Sequence, residues 1–118
     1  MTNLKVVEVK EDSLVFDNGY SIESDHDSDC CEWHWLEFKD LELKDFEGLE
    51  FDLSNDNFFK RIPDYGIELI PIKGWSVKIA GHGANNGFYS SDLSLLIRDK
   101  ANVIRSYDIT ECQNIDWD

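Results

Sequence analysis

Short segments in which apolar and polar residues alternate, separated by turn-forming residues, constrain this chain more than any other feature. Trp75–Ala80 and Val103–Ile109 both alternate in this way, which is typical of strands with one buried face. No apolar run is longer than three residues, so we expect neither a transmembrane helix nor a signal peptide. A chain of 118 residues has the size of one domain, and we expect a single domain over residues 1–118.

The predicted strands follow one another at short intervals. They are Leu4–Val9, Leu14–Phe16, Tyr20–Ile22, Trp33–Phe38, Ile67–Ile72, Trp75–Ala80, Phe88–Arg98 and Val103–Ile109. Bulky residues on both faces of Trp33–Phe38 favour a strand that is buried on both sides. The last three strands are expected to form an antiparallel meander.

A change of period predicts one short helix. Leu43, Phe46 and Leu49 recur at three-residue spacing between Asp40, which would cap the helix, and Phe51. The expected fold is therefore an α+β domain, mostly antiparallel β, with about seven strands and one short helix.

Acidic residues are concentrated in the N-terminal half. The chain has 25 Asp and Glu and 11 Lys and Arg, a net charge of −14. Residues 1–56 hold 17 acids and 4 bases, whereas residues 57–118 hold 8 acids and 7 bases. This charge argues against direct binding of nucleic acid or of an anionic membrane. The asymmetry indicates an interaction face or an ion site, and the simpler alternative is a solvated acidic surface.

The densest acidic segment has part of a calcium-binding pattern. Asp25, Asp27 and Asp29 have the D-x-D-x-D spacing that begins an EF-hand loop. The sixth position is Cys30 instead of glycine and the twelfth is Leu36 instead of glutamate, which argues against an EF-hand. An acidic loop that holds a hard divalent cation remains an alternative.

The same segment also contains ligands that suit zinc. Structural zinc sites use separated Cys or His pairs, whereas Cys30 and Cys31 are adjacent and point to opposite faces of an extended chain. The candidate metal ligands are Asp25, His26, Asp27, Asp29, Cys30 and His34. The interpretation that we favour is structural: one cysteine packs in the core, and the acids anchor a turn.

The three cysteines do not form a disulfide framework, since two are adjacent and Cys112 is left over. We therefore expect a reducing, cytoplasmic environment. Carboxylates around Cys30 and Cys31 raise a thiol pKa, which opposes a redox role.

Residues Gly81–Gly87 are rich in glycine and asparagine and predict a hairpin loop. This segment fits neither of the common phosphate-binding glycine motifs. The candidate ligand contacts in or beside it are His82, Asn85, Asn86 and Tyr89. No nucleophile elbow, H-E-x-x-H motif or Cys/His signature is present, so an enzyme is the third choice of function.

Two motifs together resemble those of a known family. Residues His26–Glu32 resemble the H-D-x-D-C-C-E signature of a family of small acidic bacterial and phage proteins. Asn86–Ser90 resembles the N-G-aromatic-Tyr-Ser signature of the same family, and the resemblance spans residues 13–98. The family is a domain of unknown function. The resemblance therefore implies a shared fold and a shared site at these motifs, but no activity.

The leading hypothesis is a non-enzymatic interaction protein whose acidic N-terminal face engages a basic protein partner. In its extreme form the protein would mimic a nucleic acid, with carboxylates in place of phosphates. The alternative is a metal-binding domain with its site in Asp25–His34.

Overall fold

The computed structural model describes residues 3–25, 33–54, 56–85 and 92–117, which form ten strands and two short 3-10 turns. The strands are β1 (Val6–Val9), β2 (Ser13–Phe16), β3 (Ser21–Asp25), β4 (Trp33–Leu36), β5 (Phe59–Ile62), β6 (Gly66–Leu69), β7 (Val77–Asn85), β8 (Ser94–Arg98), β9 (Val103–Asp108) and β10 (Asn114–Trp117). The turns are Leu43–Phe46 and Asp56–Phe58. The prediction of a mostly antiparallel β domain is confirmed. The described residues contain more strands than the seven or so predicted.

The first sheet has the strand order β1-β2-β3-β8-β9, and all of its neighbours are antiparallel. Tight turns connect its hairpins where the sequence predicts them. Between β2 and β3, Gly19 has a φ of +90°, a conformation that glycine adopts without a steric penalty. The backbone N–H of Phe16 donates to the carbonyl of Tyr20 at 2.8 Å and closes this turn.

The second sheet is built around the long strand β7. Its first half pairs with β6, which pairs in turn with β5, and both pairs are antiparallel. Its second half pairs with β4 in antiparallel orientation and with the C-terminal strand β10 in parallel orientation. Because Trp35 of β4 and Asn114 of β10 both pair with His82, these two strands lie on opposite edges of β7.

Apolar side chains from both sheets form the core. Members from the first sheet include Phe16, Ile22 and Ile97, and members from the second include Leu36, Ile67 and Ile79. The segment between β4 and β5 adds Phe38, Phe46, Leu49, Phe51 and Leu53. This segment therefore packs into the core although it contains little regular structure.

The helix predicted between Asp40 and Phe51 is present only as a four-residue 3-10 helix, Leu43–Phe46, which a turn at Glu47 and Gly48 follows. Leu43 is 49% exposed. Leu49, Phe51 and Leu53 are buried at every second position, and Phe51 forms an antiparallel bridge with Leu4. The chain is extended here because pairing with the N-terminal segment satisfies its backbone groups.

The predicted glycine loop is wrong over its described residues, and the predicted meander is confirmed only for its last two strands, β8 and β9. Residues 81–85 continue β7 as a strand, so the described part of the Gly81–Gly87 segment is not a hairpin connection. Strand β8 belongs to the first sheet, where it pairs with β3 and β9, and not to the sheet that contains β7. Glycine is a turn signal in many sequences, but inside a strand it also marks the close approach of another chain segment.

Candidate interaction site

Strand β4 has one buried and one exposed face, which corrects the prediction of a strand buried on both sides. The side chains of His34 and Leu36 are only 5% and 2% exposed, whereas that of Trp35 is 39% exposed. The strand therefore alternates as a half-buried strand does, with a histidine in place of one apolar residue on the inner face.

His34 is held on the inner face by a glutamine. The Nε2 group of Gln113 donates to the carbonyl of Thr110 at 2.8 Å, which orients the amide so that its Oε1 atom faces the imidazole. Gln113 Oε1 and His34 Nδ1 are 2.6 Å apart, and since the amide oxygen accepts, the proton is on Nδ1. His34 thus has a structural role at its Nδ1 atom.

Trp35 occupies the outer face, next to His82 of β7. The centroids of the two rings are 5.8 Å apart with an interplanar angle of 43°. The indole Nε1–H group donates to the Oε2 atom of Glu37 at 3.3 Å. Positions 35 and 37 lie on the same face of an extended chain, so this hydrogen bond follows directly from the local backbone.

Two open clefts adjoin Trp35 and Glu37, which line both. The first has a volume of about 590 Å³, and His82 and Asn114 contribute its other polar side chains. The second has a volume of about 440 Å³. Its additional lining includes Glu11, Asp12, Ser24 and Lys39.

The second cleft forms because the two sheets meet there. The backbone N–H of Leu36 donates to the Oγ atom of Ser24 at 3.0 Å, which joins β4 to β3. The turn after β1 carries Glu11 and Asp12 to the same cleft. We define the Trp35 site as Trp35, Glu37, His82, Asn114, Glu11 and Asp12.

The charge at the Trp35 site is negative. Among the described residues, the carboxylates of Glu11, Asp12 and Glu37 and the ammonium of Lys39 line the two clefts around an exposed indole ring. An aromatic face attracts a cation through its quadrupole, and nearby carboxylates add to that attraction. The arrangement is chemically suited to a positively charged side chain.

Only part of the predicted metal site is described. Asp25 ends β3 and is exposed, and His34 is buried against Gln113. The other predicted ligands, His26, Asp27, Asp29 and Cys30, lie outside the described residues. Within residues 3–25, 33–54, 56–85 and 92–117, no three His, Cys, Asp or Glu side chains are grouped so that they could hold a metal ion. The metal site stays a prediction.

Of the predicted ligand contacts, His82 lies in the Trp35 site, on a strand and not on a loop. Asn85 ends β7, and Asn86 and Tyr89 lie outside the described residues. Sequence reasoning missed Trp35 and Asn114 as partners of His82. Trp35 stands in a segment with bulky residues on both faces, which gave no signal for its exposure, and the position of Asn114 depends on the parallel pairing of β10 with β7.

The described connections bring the ends of the two family-like motifs together. Asp25, just before the first motif, pairs with Ser94, which follows the second motif. Trp33, just after the first motif, pairs with Ala84, which precedes the second. The residues that flank the two motifs are therefore paired in both sheets, and the motifs themselves lie outside the described residues.

No family model matches the chain, and comparison with curated proteins and with solved structures gives no match. The family resemblance stays a prediction. A search of the described residues for a helix of sufficient length and apolarity to span a bilayer finds none.

Proposed function

We propose that this domain is a non-enzymatic interaction module that binds a basic protein through the Trp35 site. The observation that carries the proposal is a half-exposed tryptophan between two clefts that share the carboxylate of Glu37, the second of which is also lined by Glu11 and Asp12. The partner is expected to place one or more cationic side chains over Trp35, next to Glu37.

Interface energetics support tryptophan as the anchor. Tryptophan is enriched among the few residues that carry most of the binding energy of an interface. Here Trp35 is held by its hydrogen bond to Glu37 and by its ring contact with His82. Less conformational freedom is then lost on binding than for a freely rotating side chain.

The overall charge supports a basic partner. Residues 1–56 carry 17 acids and 4 bases, and Glu11, Asp12 and Glu37 of the Trp35 site belong to this half. A negative surface accelerates the encounter with a basic partner and disfavours acidic ones. Mimicry of a nucleic acid is the extreme form of this proposal, with a DNA-binding protein as the partner.

The proposal is tested by titration with a short glycine-spaced peptide that contains both arginine and lysine. Binding is followed through the indole N–H signals of the four tryptophans in a two-dimensional NMR spectrum. The Trp35 signal is expected to shift, and the affinity is expected to fall as the salt concentration rises from about 50 mM to about 500 mM.

Trp75 provides the matched control. Its side chain is 58% exposed, and its Nε1–H group donates to the carbonyl of Asp45 at 3.2 Å, outside the Trp35 site. Because Trp35→Ala removes the indole signal used for the wild-type protein, binding by the variants is compared by isothermal titration calorimetry. Trp35→Ala is expected to abolish binding of the peptide, whereas Trp75→Ala is expected to leave it unchanged. Equal binding by the wild-type protein and Trp35→Ala would refute the proposal.

A further inference from the structure

We infer that the Trp35 site binds the guanidinium group of arginine in preference to the ammonium group of lysine. This inference rests on the proposed function and names the chemical group that the basic partner supplies. It comes from the relative positions of one indole ring and one carboxylate.

The carboxylate of Glu37 lies at the edge of the indole ring. Its Oε2 atom accepts the Nε1–H of Trp35 at 3.3 Å, which places the carboxylate beside the pyrrole part of the ring system. A carboxylate offers about four lone-pair directions on two oxygens, and this hydrogen bond uses one of them. Glu37 therefore keeps acceptor capacity next to the face on which a cation would lie.

Arginine and lysine differ in how they use such an arrangement. The guanidinium is flat, carries five N–H donors and is weakly hydrated, so it can stack on an indole while its edge donates to an adjacent carboxylate. The ammonium is a compact and strongly hydrated point charge, which cannot stack in this way. The Trp35–Glu37 pair thus presents a flat surface and an acceptor at its margin.

His82 extends this surface. It is paired with Trp35 in the β4–β7 ladder, and its ring centroid is 5.8 Å from that of the indole. The methylene stem of an arginine can cover such an aromatic surface while its charged end reaches the carboxylate. The other carboxylates of the site, Glu11 and Asp12, attract either cation. They therefore raise the affinity for arginine and for lysine alike and do not distinguish between them.

The test uses three glycine-spaced peptides that differ only at three positions, which are all arginine, all lysine or all citrulline. Citrulline keeps the flat shape of arginine and lacks its charge. The dissociation constants are measured from the Trp35 indole N–H signal of the intact chain. We expect the arginine peptide to bind about five- to tenfold more tightly than the lysine peptide, and the citrulline peptide to bind most weakly.

Two substitutions assign the preference to Glu37. Glu37→Gln keeps an oxygen that accepts from Trp35 but loses the charge, so the preference for arginine is expected to fall to less than about twofold. Glu68→Gln is the matched control, because Glu68 accepts a hydrogen bond from the Oγ atom of Ser76 at 2.7 Å elsewhere on the same sheet. This control is expected to keep the full preference.

The outcomes separate the inference from the function on which it rests. Equal affinities for the arginine and lysine peptides would overturn the inference and leave the proposed function standing. Equal affinities for the arginine and citrulline peptides would overturn both the inference and the proposed function, since charge would then have no part in recognition. Failure of both cationic peptides to bind would overturn the proposed function and the inference together.

Discussion

Gly83 lies beneath the contact between His34 and Gln113. A Cβ atom at this position would be 2.4 Å from His34 Nδ1 and 2.7 Å from Gln113 Oε1, distances well inside van der Waals contact. Glycine is therefore required here by the close approach of two side chains, and not by a turn. The same reasoning applies to Gly81, whose Cβ would be 2.2 Å from the carbonyl oxygen of Cys112.

The substitution Gly83→Ala is expected to destabilise the domain by about 1–3 kcal/mol, because the added methyl group must displace a buried hydrogen-bonded pair. Denaturant unfolding of the wild-type and variant proteins measures the loss. His34→Ala removes the atom nearest to the added methyl group, so in that background Gly83→Ala is expected to lower the free energy of unfolding by a smaller amount. Equal costs in the two backgrounds would show that the contact with His34 is not the cause.

Cys112 is fully buried, and burial raises the pKa of its thiol to about 11, with the neighbouring carboxylate of Glu111 adding to the effect. The folded state therefore holds the thiol proton more tightly than the unfolded state, whose thiol titrates near 9.0. The resulting contribution to stability is complete below the unfolded pKa and is lost as the pH rises toward the folded pKa.

We expect the free energy of unfolding to fall more steeply for the wild-type protein than for Cys112→Ser between about pH 8 and about pH 10.5, since serine does not titrate there. Urea unfolding at several pH values measures both slopes. Cys30 and Cys31 are present in both proteins and cancel in the comparison. Parallel slopes would contradict the assignment to Cys112.

The β8–β9 hairpin shows how a polar side chain sets the end of an element. The Oδ1 atom of Asp99 accepts the backbone N–H groups of Ala101 at 2.8 Å and Asn102 at 2.7 Å. These two hydrogen bonds lower the pKa of the carboxyl group below its usual value. An aspartate at the start of a turn commonly holds it in this way, and the sequence predicts this turn from residues 99–102.

Asp99→Ala is expected to lower the thermal midpoint of the domain, whereas Asp99→Asn keeps the accepting oxygen and is expected to stay closer to the wild type. Because the folded pKa of Asp99 is depressed, its ionic contribution is present above the unfolded pKa and is lost as the pH falls through the folded one. Thermal unfolding at neutral pH and below about pH 3.5 measures both effects. A midpoint of Asp99→Ala equal to that of the wild type at neutral pH would contradict the expected role.

Elements that depend on residues close together in the sequence were predictable. Elements that depend on pairing with a distant segment of the chain were not. The Asp17–Gly19 turn and the strands beside it follow from turn chemistry and alternation, which act within a few residues. The three-residue spacing of Leu43, Phe46 and Leu49 predicts a helix. Glu50 and Phe51 instead form β-bridges, and Phe51 pairs with Leu4, nearly fifty positions away in the chain.

The sequence predicted one residue of the candidate site, His82, but neither its position on a strand nor the exposure of Trp35. The sequence predicts His82 as a ligand contact on a loop, whereas residues 81–85 form a strand. The bulky residues on both faces of residues 33–38 predict a doubly buried strand and therefore a buried Trp35. Which of those faces is covered depends on the packing of the two sheets, and sequence period alone does not contain that information.

At the scale of the molecule, an aromatic cluster joins the two sheets. Tyr107 of β9 contacts Phe58 and Phe59, with ring centroids 5.6 Å and 5.1 Å away, and its hydroxyl donates to Asp56 at 2.8 Å. Together with the common core, this contact ties β9 of the first sheet to the start of β5. The Trp35 site uses another junction of the same two sheets, where Ser24 contacts Leu36.

The distribution of charge over the molecule is expected to act on the rate of association. Replacing the exposed acids Glu8, Asp40 and Glu47 by lysine reduces the net charge from −14 to −8 without touching the Trp35 site. We expect the association rate for the arginine peptide to fall by a factor of about 3–10 at low salt, with little change in the dissociation rate.

Stopped-flow measurements on this triple variant and on Trp35→Phe separate the two contributions. Trp35→Phe keeps the net charge but reduces the aromatic surface, so its effect is expected in the dissociation rate. A triple variant whose association rate equals that of the wild type at low salt would show that the acidic surface does not steer the partner.

The sequence by itself determined the β class of this protein, its tight turns and the concentration of acids in residues 1–56, because alternation, turn conformation and charge are properties of neighbouring residues. Only the tertiary structure decided that residues 81–85 form a strand and that Trp35 is exposed beside His82. These features depend on which segments pair across long stretches of chain. The free energy gained from that pairing and from burial of the core outweighs the local conformational preferences of the residues.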